Sequence, residues 1–140
     1  MPGTTAKRLA ALLVACAAAL SGVPSAHAMV LDSESARGHH AYASAAGVIA
    51  VPASMRLRVA ATPRQRVSGS WTMLCSVGFA GGSASGSFSG GTTLRLTLPI
   101  PLPGPDQCTV SAGAQLAHRG RVRVTLLASR ASDAQPRRHG

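Results

Sequence analysis

The side chains with the most chemical potential in this sequence are arginines. Arg56, Arg58, Arg95, Arg121 and Arg123 alternate with apolar residues, and Arg119 stands just ahead of the last pair. A planar guanidinium donates two parallel hydrogen bonds to a phosphate or carboxylate, so rows of them suit an anionic polymer. Nucleic acid, teichoic acid and acidic lipid headgroups all present such groups. Reading bases also needs stacking platforms. With one Trp, one Tyr and two Phe the chain offers few, so specific nucleic-acid recognition is not expected. The plainer alternative is that outward arginines only keep strands soluble and guard sheet edges.

Other chemistry is poorly supplied. The 4 acids are Asp32, Glu34, Asp106 and Asp133. Asp106 could meet His118 and a serine only through long-range folding, and no G-x-S-x-G nucleophile turn occurs. No catalytic residue is assigned. His39 and His40 are adjacent, a spacing from which a regular element does not readily chelate one ion. Metal ligands and cofactors are therefore not assigned either. Gly81 to Gly91 is rich in Gly and Ser but lacks the lysine and the following helix of a phosphate cradle. It reads as a flexible loop, with one short strand at Ser85 to Ser89 as the alternative. Pro99 to Pro105 favours an extended polyproline conformation and reads as a stiff crossover.

Residues 1–28 read as a secretory signal peptide. Lys7 and Arg8 give a cationic start, Leu9 to Leu20 is uncharged and apolar, and Ala26-His27-Ala28 is a small-x-small cleavage site. An apolar run this short falls below the ~20 residues a bilayer-spanning helix needs. Export with cleavage after Ala28 is the expectation, with no membrane span remaining. A rival lies in Leu13-Val14-Ala15-Cys16, which resembles a bacterial lipobox and would anchor the protein by a lipid on Cys16. Cleavage after Ala28 removes Lys7 and Arg8, lowering the formal charge from +10 to +8. It also removes Cys16. The remaining pair, Cys75 and Cys108, is the arithmetic of one disulfide in an oxidising compartment.

The elements that must position these groups are strands. From Val67 to Phe79 the odd positions are Val, Gly, Trp, Met, Cys, Val and Phe, and the even ones mostly Ser and Thr, with Leu74 out of phase. A period of two turns one face inward and leaves the other wet. Cys108 to Leu116 repeats the rhythm, so both cysteines belong to apolar faces and their bridge would cross or line the core. Met55 to Val59, Leu94 to Leu98 and Val122 to Leu126 follow the same rule. Gly47 to Val51 is a weaker strand, and Ala41 to Ala46 could form one helical turn. Ala117 to Gly120 reads as a hairpin loop, with Gly120 suited to a positive φ. Residues 29–43 and 130–140 carry no pattern and read as flexible tails around a 44–129 domain.

Six or seven short antiparallel strands with one disulfide predict an all-β sandwich, with a closed barrel as the alternative. In style the chain resembles short secreted actinobacterial proteins of unassigned function: it is rich in alanine, uses Arg in place of Lys, and carries the signal-peptide ending Val23-Pro24-Ser25-Ala26-His27-Ala28. Its general plan is similar to immunoglobulin-like domains, through two inward cysteines on separate strands. Trp71 precedes Cys75 rather than following it, so only the architecture is carried over. The resemblance implies a secreted, non-catalytic module acting by surface contact. The alternative is a cationic binder of an anionic cell-envelope polymer through Arg56, Arg58, Arg95, Arg119, Arg121 and Arg123. A cryptic hydrolase is the remaining reading.

Overall fold

The structure, a computed structural model, describes residues 28–131. The expected signal sequence through His27, the lipobox cysteine and the residues after 131 lie outside the described part. Among the described residues no helix is long and apolar enough to cross a membrane. The chain forms eight strands: β1 Met29–Gly38, β2 Tyr42–Ala50, β3 Pro52–Thr62, β4 Val67–Val77, β5 Ala80–Gly90, β6 Thr93–Leu98, β7 Gln107–Leu116 and β8 Gly120–Arg130. They make two four-stranded antiparallel sheets, ordered β1-β8-β3-β6 and β2-β7-β4-β5, packed as a sandwich.

The pairing is nested. β1 pairs with β8, β2 with β7, β3 with β6 and β4 with β5. The chain is therefore one long antiparallel ribbon folded over on itself, closed by the β3–β8 and β4–β7 ladders. Eight strands in this order form a jelly roll, not the six- or seven-stranded immunoglobulin-like plan. The disulfide shows the difference. Cys75 and Cys108 stand directly opposite each other on adjacent strands β4 and β7, with a Cα–Cα distance of 4.1 Å. The bridge lines the inner face of one sheet and does not cross between the two.

The core is a wedge. Where β1 and β2 face each other the inward side chains are small, with Ala43 and Ala45 on β2 and Ala112 and Ala114 on β7, all buried. There a carboxylate ties the sheets: Asp32 Oδ2 on β1 accepts from the Ala46 N–H on β2 at 3.0 Å. Towards β5 and β6 the sheets diverge, and Met55, Leu57, Met73 and Phe88 fill the gap. Trp71, Leu94 and Leu102 pack there half-buried. They lie against glycines of β5; a methyl at Gly86 would sit 2.8 Å from the Trp71 Nε1. Bare backbone on β5 is thus the surface on which the larger side chains rest.

Several elements differ from the sequence reading, each for a physical reason. Residues 29–43 are not a tail, since β1 occupies most of them and strand pairing starts at Met29. A register shift between Val30 and Asp32 breaks the two-residue rhythm, and Asp32 takes an inward-phase position, so the apolar pattern is erased. Ala41 to Ala46 is not a helical turn: Tyr42 to Ala46 is strand, with Ala41 just ahead of it. Alanine and serine give too little contrast in hydropathy to show the alternation. The Gly/Ser stretch is the eleven-residue strand β5, whose inward Gly82, Ala84, Gly86, Phe88 and Gly90 alternate with four serines. Phe79 is fully exposed at the β4–β5 turn, not on the apolar face. Gly78 starts that turn at φ +56°, the backbone that a two-residue hairpin requires. Asp106 Oδ2 accepts its N–H at 2.8 Å. Gly120 does not adopt a positive φ. It opens β8 at a close approach, where a methyl would come within 2.7 Å of the Thr62 carbonyl oxygen.

Reducing the bridge frees a loop spanning a sequence separation of 33. In the chain-entropy account, Cys75→Ala with Cys108→Ala lowers unfolding stability by about 3–4 kcal/mol. Urea denaturation of the oxidised protein beside the double variant measures the difference.

Candidate functional site

The strands that carry the arginines all belong to one sheet. In each of β3, β6 and β8 the inward phase is apolar: Met55, Leu57 and Val59; Leu94, Leu96 and Leu98; Val122, Val124 and Leu126. The arginines between them must then point outward, and all are exposed. Because β8, β3 and β6 are consecutive neighbours, Arg56, Arg58, Arg95, Arg121 and Arg123 share a single outer face. β1 adds a residue that sequence reading placed in a tail. Arg37 stands opposite Arg121.

The registers connect these groups into a band across four strands. Arg37 faces Arg121, and Arg123 follows two residues along β8. Thr125 faces Arg58, which puts Arg123 diagonal to Arg58. Arg58 directly faces Arg95, and Arg56 lies two residues away on β3. Neighbours along a strand are ~6.7 Å apart, and directly opposed ones are closer. No acidic residue occupies an outward position of this sheet. Asp32 and Glu34 on β1 fall in the other phase, opposite Leu126 and Val124. A hollow of about 370 Å³ opens on the band, with Arg56, Arg58, Arg95 and Thr97 at its walls and Leu127 beside them.

Arg119 lies off the face, in the loop between β7 and β8. Gln65 fixes that loop: its side-chain carbonyl accepts from the His118 N–H at 3.0 Å, and its amide donates to the Arg119 carbonyl at 3.3 Å. The loop that holds Gln65 also carries Arg64 and Arg66, both exposed, so the cationic face continues over this end of the sandwich. Sequence reasoning missed Gln65, Arg64, Arg66 and Arg37. None of them carried a local signal: in the Asp-Ser-Glu-Ser-Ala-Arg run that ends at Arg37, charged residues fall in both strand phases, with Asp32 and Glu34 in one and Arg37 in the other.

The hydrolase pair is not brought together. Asp106 precedes β7 and His118 follows it, and a ten-residue strand holds its ends ~33 Å apart. Asp106 is instead committed to the β4–β5 turn. No group of three metal-ligating side chains forms among the described residues, and His39 and His40 remain exposed in the β1–β2 turn.

The outer face of the second sheet is chemically opposite. Its outward positions carry Ser, Thr, Gln, Gly and Ala, with Leu74, Val48 and Tyr42 the large exceptions, and no charge. Tyr42 leans across the strand pair onto Gly113, beside a hollow of about 380 Å³ bordered by Ser70, Ser87 and Gln115. That face offers hydrogen bonds and one ring, and nothing that attracts an ion.

A scan against protein-family models finds no match, and a search of curated proteins finds none. Among solved structures, the chain is similar to TmCBM61 in complex with β-1,4-galactotriose, at 10% identity and a TM-score of 0.40 over 74% of this chain and 68% of that one. The C-terminal domain of A223, a structural protein of Sulfolobus turreted icosahedral virus, gives 11% and 0.34 over 74% and 99%. A mutant of CBM29-2, of family 29 of the carbohydrate-binding modules, gives 12% and 0.32 over 79% and 90%. Likenesses this distant leave the ligand to be argued from the surface itself. Fold and surface together define a class: an eight-stranded antiparallel sandwich with one cationic and one neutral outer face.

Two like charges directly opposite in a ladder repel. Arg95→Gln, which relieves Arg58, should raise stability by about 0.2–1 kcal/mol at low ionic strength, and the gain should vanish in high salt as screening takes over. Thermal unfolding of both proteins across a salt series checks this.

Proposed function

We propose that this protein is an exported, non-catalytic binding module that lays its β1-β8-β3-β6 face on an anionic, phosphate-bearing polymer of the cell envelope. One observation carries the reading: six arginines from four strands form a connected band with two directly opposed like-charge pairs and no acid among them. Solubility alone asks only for scattered charge of mixed sign. Setting Arg37 against Arg121 and Arg58 against Arg95 costs stability in the free protein, and a polyanion removes that cost by neutralising both members. The strands hold the guanidiniums as a flat array, so contact along a flexible chain needs little rearrangement of the backbone. Recognition of this kind is through charge and spacing, independent of base sequence.

The salt dependence of binding tests the face. Neutralising about six phosphates gives a log K against log salt slope of roughly −4 to −5 on a single-stranded polyphosphate or teichoic acid chain. Arg58→Ser and Arg123→Ser should each flatten the slope by about 0.7. A slope near zero, or one unchanged by both substitutions, removes the proposal. Export is tested separately by intact mass of the protein recovered outside the cell. A chain beginning at Met29 with its two cysteines oxidised is the expected species, and a lipid-bearing chain beginning at Cys16 would replace it with the anchored form.

A further inference from the structure

Each sheet of an open sandwich ends in strands with unpaired backbone groups, and proteins guard such edges. Three of the four edges here are guarded. β1 carries a register shift at Val30/Asp32 together with Glu34 and Arg37. β2 lies against β1, with its Ala46 N–H taken by Asp32. β6 is six residues long, carries Arg95 and stops at Pro99. β5 has no such device. It runs for eleven residues with no charge, no proline and no shift in its register with β4.

The sequence of that edge is self-complementary. From Gly81 to Gly91 it reads identically in both directions about Gly86, apart from Ala84 and Phe88. An antiparallel pair of identical strands with its two-fold axis at Gly86 therefore sets Ser85 against Ser87 of the second copy and Ser83 against Ser89. These are outward positions, where facing hydroxyls hydrogen-bond across strands. On the inner side Gly86 meets Gly86, and each Trp71, the chain's one tryptophan, lies half-buried over that glycine. The axis would thus bring both indoles together where each is still partly open to solvent.

We infer that β5 is a homodimerisation edge: two copies of this chain pair antiparallel through Ala80–Gly90 about Gly86, joining two four-stranded sheets into one of eight strands. Charge agrees with this choice of occupant. A chain of formal charge +10 repels its copy everywhere except where it is neutral, and β5 with the outer face beside it is the neutral part. Antiparallel pairing keeps like faces on the same side of the joined sheet. The two arginine bands then stand side by side, and one polymer could engage both, with the gain in avidity that linked sites give. The dimer itself does not require the polyanion reading.

Light-scattering mass during size exclusion is the test, with no polymer present. The purified protein should run at twice its chain mass at micromolar concentration, and Trp71 emission should shift to the blue as concentration rises. Ser85→Lys combined with Ser87→Lys places four like charges around the axis and should halve the mass while leaving the far-UV circular dichroism unchanged. Ser111→Lys, on the same outer face but on the interior strand β7, should leave the dimer intact. Mixing Ser85→Cys protein with Ser87→Cys protein should yield a disulfide-linked pair faster than either variant alone, which fixes the register. A wild-type chain that stays monomeric at high micromolar concentration overturns the inference, as does a dimer that survives the paired lysines. Loss of polymer binding with the dimer intact would overturn only the proposed function.

Discussion

Most of what is distinctive about this molecule depends on the ladder between β3 and β8. It joins the first pair of the folded ribbon, β1 with β8, to the third, β3 with β6, by setting Pro52–Thr62 against Arg121–Arg130, and without it the first sheet would be two separate strand pairs. It also makes one cationic surface out of what would be two. β3 brings Arg56, Arg58 and the facing Arg95, while β8 brings Arg121, Arg123 and the facing Arg37. Inward, the same ladder sets Leu57 beside Leu126 and Val59 beside Val124, all at most 1% exposed. Apolar burial on one side of the ladder therefore holds mutually repelling charges together on the other.

The two sheets differ in how they tolerate their outer faces. The arginine face is strained electrostatically, but its strands are long-chain aliphatic inside and well buried. The neutral face carries no repulsion, and its sheet is built from smaller residues, with a covalent bridge between β4 and β7 at Cys75 and Cys108. Small inward side chains let the sheets approach at the β1/β2 side. Bare glycine backbone on β5 makes room for Trp71, Leu94 and Leu102 on the other. The wedge thus follows from side-chain volume: a close-packed interior leaves no voids for mismatched pairs to hide in.

Legibility tracked hydropathic contrast. Leu and Val against Arg and Thr gave β3, β6 and β8 away, and Met73 and Cys75 against Thr72 and Ser76 did the same for β4. β5 and the first half of β2 alternate as well, but with Ala or Gly against Ser or Ala, and that contrast is too small to mark their full length: only Gly47 to Val51 read as a weak strand, and Ser85 to Ser89 as an alternative to loop. β1 was hidden by its register shift and by Asp32 in an inward phase, where a hydrogen bond to the other sheet takes the place of apolar burial. The outward direction of Arg56, Arg58, Arg95, Arg121 and Arg123 was readable for the same reason as their strands. Arg37 was not, because its strand was not. Gln65 gave no signal at all, since it acts on the backbone of a loop more than fifty residues away.

The amino-acid sequence by itself determined that the chain is all-β, which face of most strands turns inward, and that Cys75 and Cys108 sit on buried faces ready to be joined. Those are local facts, set by the alternation of side chains along a single strand. Strand order was decided only in three dimensions, since nothing local to β3 says that its neighbours are β8 and β6. From that order came the jelly roll in place of an immunoglobulin-like plan, the union of the arginines on one surface, and the separation of Asp106 from His118. Which strands lie side by side depends on how the whole ribbon closes over its core, and no window of residues contains that information.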